Sequence, residues 1–268
     1  MENIKYFIGK DANSMYETLG TKRNRDFENL AYNTKDEIFE YFSAVKTSSK
    51  FDYIPILQYW LDTLNTEGIQ HKLNFGAIDE IHFDFTGSLK KDVTNISKLV
   101  SNTKFLCSGD GFKISVEGKS KDFRKTDEPH EYVYPTIKEM KSGRIPIIQS
   151  ILNLWIGAIQ DFCQPNLARI EDLQYQFLLR LVDACNNNKG RAIVLHQFFY
   201  ENESVLINEW IENLRIWKSI INPNERLSFF VQKIQIAPID ASVSTEELLQ
   251  KVKTDRAVAF EKDEIIEI

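Results

Sequence analysis

The sequence predicts an α+β fold, a helical bundle packed against a mostly antiparallel sheet. Two observations predict it. Apolar residues recur at helical spacing from Thr136 to Ile221, whereas period-two alternation and a hairpin signal fall between Ile69 and Tyr134. The order helix, strand, helix, strand also lacks the regular alternation of a doubly wound fold. The chain reads as one compact unit or two interleaved lobes: a mixed lobe over 1–135, a helical lobe over 136–221, and strands over 222–268 that return to the sheet.

Taken in order, Lys5 to Ile8 forms a short strand. Thr34 and Glu37 form a capping box, followed by a helical face of Ile38, Phe39, Phe42 and Val45. Phe51 to Leu64 is aromatic-rich, and Pro55 suits a first helical turn because its missing amide has no partner there. Ile81, Phe83 and Phe85 make the apolar row of a strand over Ala77 to Phe85, which Gly87 ends. A short helix over Val93 to Val100 leads to strands Lys104 to Cys107 and Phe112 to Val116, joined by Ser108-Gly109-Asp110-Gly111. Tyr132 to Tyr134 adds an edge strand.

Thr136 and Glu139 repeat the capping box. Ile145 to Cys163 comes nearest to a membrane span, but Gln149, Ser150, Asn153 and Gln160 would need partners in lipid, so it reads as a core helix. Pro165-Asn166 opens a helix with a stripe from Leu167 to Val182, a further helical segment starts near Arg191, and Val205 to Trp217 follows. Strand character returns over Leu227 to Ile239, Ser244 caps a short helix with Glu247 at its third position, and Val258 to Phe260 and Ile265 to Ile268 close the sheet.

Composition excludes several classes. With 43% apolar and 27% charged residues in 268, the chain is neither disordered nor low-complexity. A net charge of −6 argues against broad binding to DNA. The one basic run, Lys113, Lys119, Lys121, Arg124 and Lys125, suits a solvated hairpin or a local nucleic-acid contact. Cys107, Cys163 and Cys185 lack CxxC spacing and read as buried free thiols, which with the absence of a secretory start predicts the cytoplasm. There is no phosphate loop, GxGxxG, HExxH or GxSxG, and His71, His82, His130 and His196 are dispersed. No cofactor and no metal site is expected from these patterns.

Two constellations carry chemistry. In GRAIVLHQFF, a helix would bring Arg191 and His196 near one face, where a guanidinium stabilises a phosphorane and an imidazole moves a proton. This spacing resembles the R-x4-6-H element of HEPN-type ribonucleases, which cleave RNA without metal across a dimer. Ala192 stands where that family carries a polar residue. The structural alternative leaves Arg191 exposed and packs His196 under Phe199.

In GDGFKISVEGKS, Asp110, Glu117 and Lys119 resemble the Asp…Glu-x-Lys arrangement of PD-(D/E)xK nucleases. The resemblance implies two carboxylates on Mg²⁺ and a lysine positioning the attacking water. Glu117 and Lys119 would project from one strand face. The Asp110 to Glu117 interval is short for that family, Gly118 replaces an expected apolar residue, and Asp79 or Asp84 is the substitute first acid. The competing reading is an exposed hairpin of alternating charge.

Aromatic residues such as Tyr53, Tyr59, Trp60, Trp155, Phe198, Phe199, Tyr200, Trp210 and Trp217 suit either a core or an interface centre. The leading expectation is a non-catalytic protein acting through self-association or a protein partner, without a membrane. The two nucleases are its alternatives, RNA being the partner in the first.

Overall fold

A run of ten residues decides the architecture. Arg191–Tyr200, expected to be helical, is a strand. Its residues 192–200 are buried throughout, and both of its neighbours are parallel to it. An apolar segment rich in β-branched and aromatic residues, covered on both faces, shows no period-two signal, so the sequence pattern alone does not separate it from a buried helix.

The structure is a computed structural model that describes residues 4–8, 30–32, 36, 38, 54–84, 104–120, 136–203, 205–240, 242–254 and 257–268. Its strands are β1 (Lys5–Ile8), β2 (Leu30–Tyr32), β3 (Glu80–Asp84), β4 (Lys104–Gly109), β5 (Phe112–Lys119), β6 (Arg191–Tyr200), β7 (Leu227–Ile236) and β8 (Phe260–Glu267). Its α-helices are α1 (Ile54–Leu61), α2 (Thr63–Leu73), α3 (Ile137–Ile159), α4 (Tyr175–Cys185), α5 (Val205–Ile221) and α6 (Thr245–Val252).

Among the described residues the strands form one sheet in the order β2-β1-β3-β4-β5-β6-β7-β8. The pairs β1/β3, β5/β6 and β6/β7 are parallel, and the others are antiparallel. The predicted helical bundle on a mostly antiparallel sheet is therefore incorrect. This is a mixed, α/β-like sheet with helices on both faces. Helices α3 and α4 connect β5 to β6, and α5 connects β6 to β7. Such parallel neighbours need a crossover rather than a tight turn.

Each face has its own core. On the first, Trp155 and Ile159 of α3, Phe177 and Leu181 of α4, and Leu214 and Trp217 of α5 cover Val194, Phe198 and Phe229. On the second, Ile56 and Trp60 of α1, Ile69 of α2 and Leu249 of α6 cover Ile114, Val116, Ile193, Leu195 and Phe199. Truncating a buried aromatic such as Phe177 costs about 3–5 kcal/mol, so either core accounts for a large part of the stability.

Local signals hold where chemistry is local. The Thr136 hydroxyl accepts from the Glu139 amide at 3.2 Å while the Glu139 carboxylate accepts from the Thr136 amide at 2.7 Å. Ser244 caps α6 by accepting from the Glu247 amide at 3.1 Å. Pro55 lies in the first turn of α1. The helix expected from Pro165 begins only at Tyr175 after a 3₁₀ turn over Ile170–Asp172, and Leu167 is exposed. Of the segments expected to close the sheet, Phe260 and 265–267 lie in the single strand β8, with 258–259 before it and Ile268 after it.

The expected Thr34/Glu37 box, the 93–100 helix and the 132–134 strand lie outside the described residues. Among those described, no helix is long and apolar enough to cross a membrane. The three cysteines are free and buried.

Candidate functional site

Strand β5 carries Glu117, Gly118 and Lys119 at its C-terminal end. Alternation aims the two charged side chains at the α4/α5 face and leaves Gly118 on the other. A Cβ at Gly118 would stand 2.4 Å from Cδ1 of Ile56. The glycine thus lets α1 pack against the sheet, which explains why no apolar side chain separates the charged pair.

Pairing sets the next residue. Glu117 lies opposite His196 on β6. Helix α4 adds Arg180, and α5 adds Trp210. Exposure is 1% for Glu117 and His196, 3% for Arg180 and 5% for Lys119, so the expected exposed hairpin is overturned. Alternating charges on this hairpin read as solvated because the sequence does not show that α4 and α5 cover them.

The distances define a cluster. Lys119 Nζ is 3.6 Å from Glu117 Oε1. Glu117 Oε2 is 3.6 Å from His196 Nδ1 and 3.9 Å from Arg180 Nε. Arg180 is held by Asp183 at 2.8 Å, and Lys119 Nζ sits 3.4 Å above the Trp210 ring. His196 stacks at 11° on Phe177 rather than under Phe199, which lies on the opposite face. Neither ring nitrogen of His196 has a hydrogen-bond partner among the described residues. Burial pushes its pKa down to about 4; Glu117 opposes that shift, and Lys119 and Arg180 add to it.

The second face shows what a fully satisfied polar network looks like. Trp60 Nε1 donates to Gln197 at 2.7 Å, and Gln197 donates to Gln232 at 2.6 Å. Gln232 donates to Asp263 at 2.7 Å, and the Tyr59 hydroxyl donates to Asp263 at 2.9 Å. Lys72 closes the chain 3.1 Å from Asp263. That network specifies packing. The Glu117 cluster instead holds charges and an unbonded imidazole, which burial makes costly.

The other predicted site residues fall elsewhere. Arg191 starts β6, and its guanidinium donates to the Asn74 carbonyl at 2.8 Å. On a strand, five residues put Arg191 and His196 on opposite faces, about 16 Å apart. The helical Arg-x4-His arrangement is therefore a correction: those two side chains do not meet. Asp110 is exposed in the β4–β5 turn, about 20 Å along the hairpin from Glu117. There it borders an open cleft of about 560 Å³ with Glu80, His82, Lys113 and Lys189. Asp79 is also at that end of β3. Asp84 is not: its backbone stands in the row Asp84–Lys104–Glu117–His196, two strands from Glu117 and about 10 Å away.

Within the basic run, Lys113 donates to the Asn186 carbonyl at 3.2 Å and Lys119 is buried. Residues 121–125 lie outside the described part. Tyr59, Trp60, Trp155, Phe198, Phe199, Tyr200 and Trp217 pack in the cores. Arg180 was missed by the sequence reading, although an arginine between Leu179 and Leu181 in an apolar helix is the visible signal.

Glu117 is the kind of donor Mg²⁺ takes, because that ion is held through one or two carboxylates together with phosphate and water. Among the described residues no three His, Cys, Asp or Glu side chains group as a complete metal site. The fold and cluster define a mixed-sheet α/β protein with a buried ionic centre near the carboxyl end of a parallel strand, the end where open α/β sheets bind ligands. Comparison with protein-family models, curated proteins and solved structures finds no match.

Proposed function

We propose that the chain is a metal-dependent nuclease of the PD-(D/E)xK-like kind, acting on the phosphodiester bonds of nucleic acid through Glu117 and Lys119. One observation carries the reading. Glu117 and Lys119 share a strand face and gather His196 and Arg180 into a buried centre whose imidazole has no hydrogen-bond partner. Buried charges cost stability, and clusters of this kind concentrate at functional sites.

Glu117 anchors the divalent cation. When bound, the cation polarises the phosphoryl group and makes water more acidic. Lys119 orients the attacking water and offsets charge on the phosphate. Arg180, steadied by Asp183, faces the same oxygens.

Association is the second reading: among the described residues Leu154, Leu167, Val205 and Ile216 are exposed on the side of α3 and α5, and Leu64 on the other.

The test is cleavage of single- and double-stranded DNA and RNA with Mg²⁺ or Mn²⁺. Cleavage that stops with EDTA, and in natively folded Glu117→Gln and Lys119→Met, supports the proposal. Wild-type protein that cleaves none of these, or variants that cleave as well as wild type, overturn it.

A further inference from the structure

We infer that the cleft at the amino end of β5 and β6 binds a free α-amino acid, with Asp110 taking its ammonium and Lys189 its carboxylate. The site lies at the opposite end of β5 from Glu117 and stands independently of the nuclease reading.

Two loops in contact form its rim. Gly190, between α4 and β6, packs so closely on the β4–β5 turn that a Cβ there would stand 1.9 Å from the Gly111 carbonyl oxygen. The Arg191 amide donates to that same oxygen at 2.8 Å. Asn188 braces the loop from within. Its side-chain oxygen accepts from the Gly190 amide at 2.8 Å, and its side-chain nitrogen donates to the Ala184 and Arg191 carbonyls at 3.0 and 2.9 Å. The Arg226 guanidinium donates to the Lys189 carbonyl at 2.8 Å. A rim fixed in this way needs little ordering when a ligand arrives.

Asp110 and Lys189 each stand one residue from that contact, about 3.8 Å along the chain. Both are exposed and both border the cleft of about 560 Å³. Among the described residues neither side chain has an ion-pair partner. Opposite charges held this near without meeting fit a ligand that carries both signs a short distance apart. An α-amino acid has its ammonium and its carboxylate on one carbon, and a charge-assisted hydrogen bond at each fixes its orientation.

The floor sets the remainder of the ligand. Pairing across β3, β4 and β5 places Glu80, Ser108 and Lys113 in one row on the cleft face of the sheet. His82, further along β3, is 3.1 Å from Glu80, and Lys113 donates to the Asn186 carbonyl at 3.2 Å. These groups suit a polar side chain that makes hydrogen bonds. The volume falls in the range of small-molecule sites and leaves room for that side chain together with water.

The test is isothermal titration calorimetry of the full chain with each free L-amino acid in turn. At least one with a polar side chain should bind saturably, one per chain, with a Kd below about 1 mM. The N-acetyl and carboxamide forms of that amino acid each lack one charge, and each should bind about tenfold more weakly or worse. Asp110→Asn and Lys189→Gln should weaken the amino acid to the same degree, with circular dichroism confirming the fold. Folded wild type that binds none of the amino acids, or variants that bind as tightly as wild type, would overturn the site. Equal binding of the N-acetyl or carboxamide form, or tighter binding of glycylglycine than of any free amino acid, would overturn the ligand class. Amino-acid binding that depends on Asp110 and Lys189 supports the site whether or not the chain cleaves nucleic acid.

Discussion

Glu117 and His196 face each other across the parallel pair β5/β6, with 3.6 Å between carboxylate oxygen and ring nitrogen and 1% exposure for each. Two ionisable groups so deeply buried tie the stability of the fold to their charge states.

The first prediction concerns that coupling. Glu117→Gln leaves Lys119 and Arg180 facing an uncharged amide, and breaking a buried pair from one side costs about 3–5 kcal/mol. Glu117→Gln combined with Lys119→Met should cost less than the sum of the single changes. Urea denaturation of wild type, both singles and the double closes the cycle. Additive losses would show that the pair is not coupled.

A second prediction is pH dependence. The folded-state pKa of His196 is lowered from 6.5 to about 4. The unfolded chain therefore binds more protons between those values, and stability falls as pH falls. The contribution is fully present above pH 6.5 and lost progressively down to about pH 4. That lowering corresponds to roughly 3 kcal/mol. Thermal melts in EDTA from pH 7.5 to 4 should show this slope, and His196→Gln should flatten it.

Gly118 supplies the third. A methyl group there meets Ile56 at 2.4 Å, so Gly118→Ala should cost about 1–3 kcal/mol by overpacking. Ile56→Ala in the same chain should recover part of that loss. Melting temperatures of the two singles and the double measure it.

The network of the second face gives a fourth. Gln232→Leu strands Gln197 and removes a donor to Asp263, and each unsatisfied buried group costs about 1–3 kcal/mol. Guanidinium denaturation should register the loss, with the midpoint shifted and the slope unchanged.

Much of the secondary structure was legible because its causes are local. The Thr136 and Ser244 caps, the β4–β5 turn and the helical stripe of α5 are each written within a few residues. The candidate site was legible in part: Glu117 and Lys119 share a face by alternation alone, and His196 was singled out. Its pairing with Arg191 was not sound, since that depended on a helix where the chain runs as a strand.

By itself, the sequence determined where the chain turns, where most helices start and which residues alternate along β5, since backbone sterics and neighbouring hydrogen bonds settle these. Tertiary structure alone decided that β6 is a central parallel strand, that α4 and α5 bury the charges of β5, and that Arg180 and His196 join Glu117. Those facts come from pairing and packing between segments tens of residues apart, and a fully buried strand and a buried helix expose the same apolar letters until their neighbours are in place.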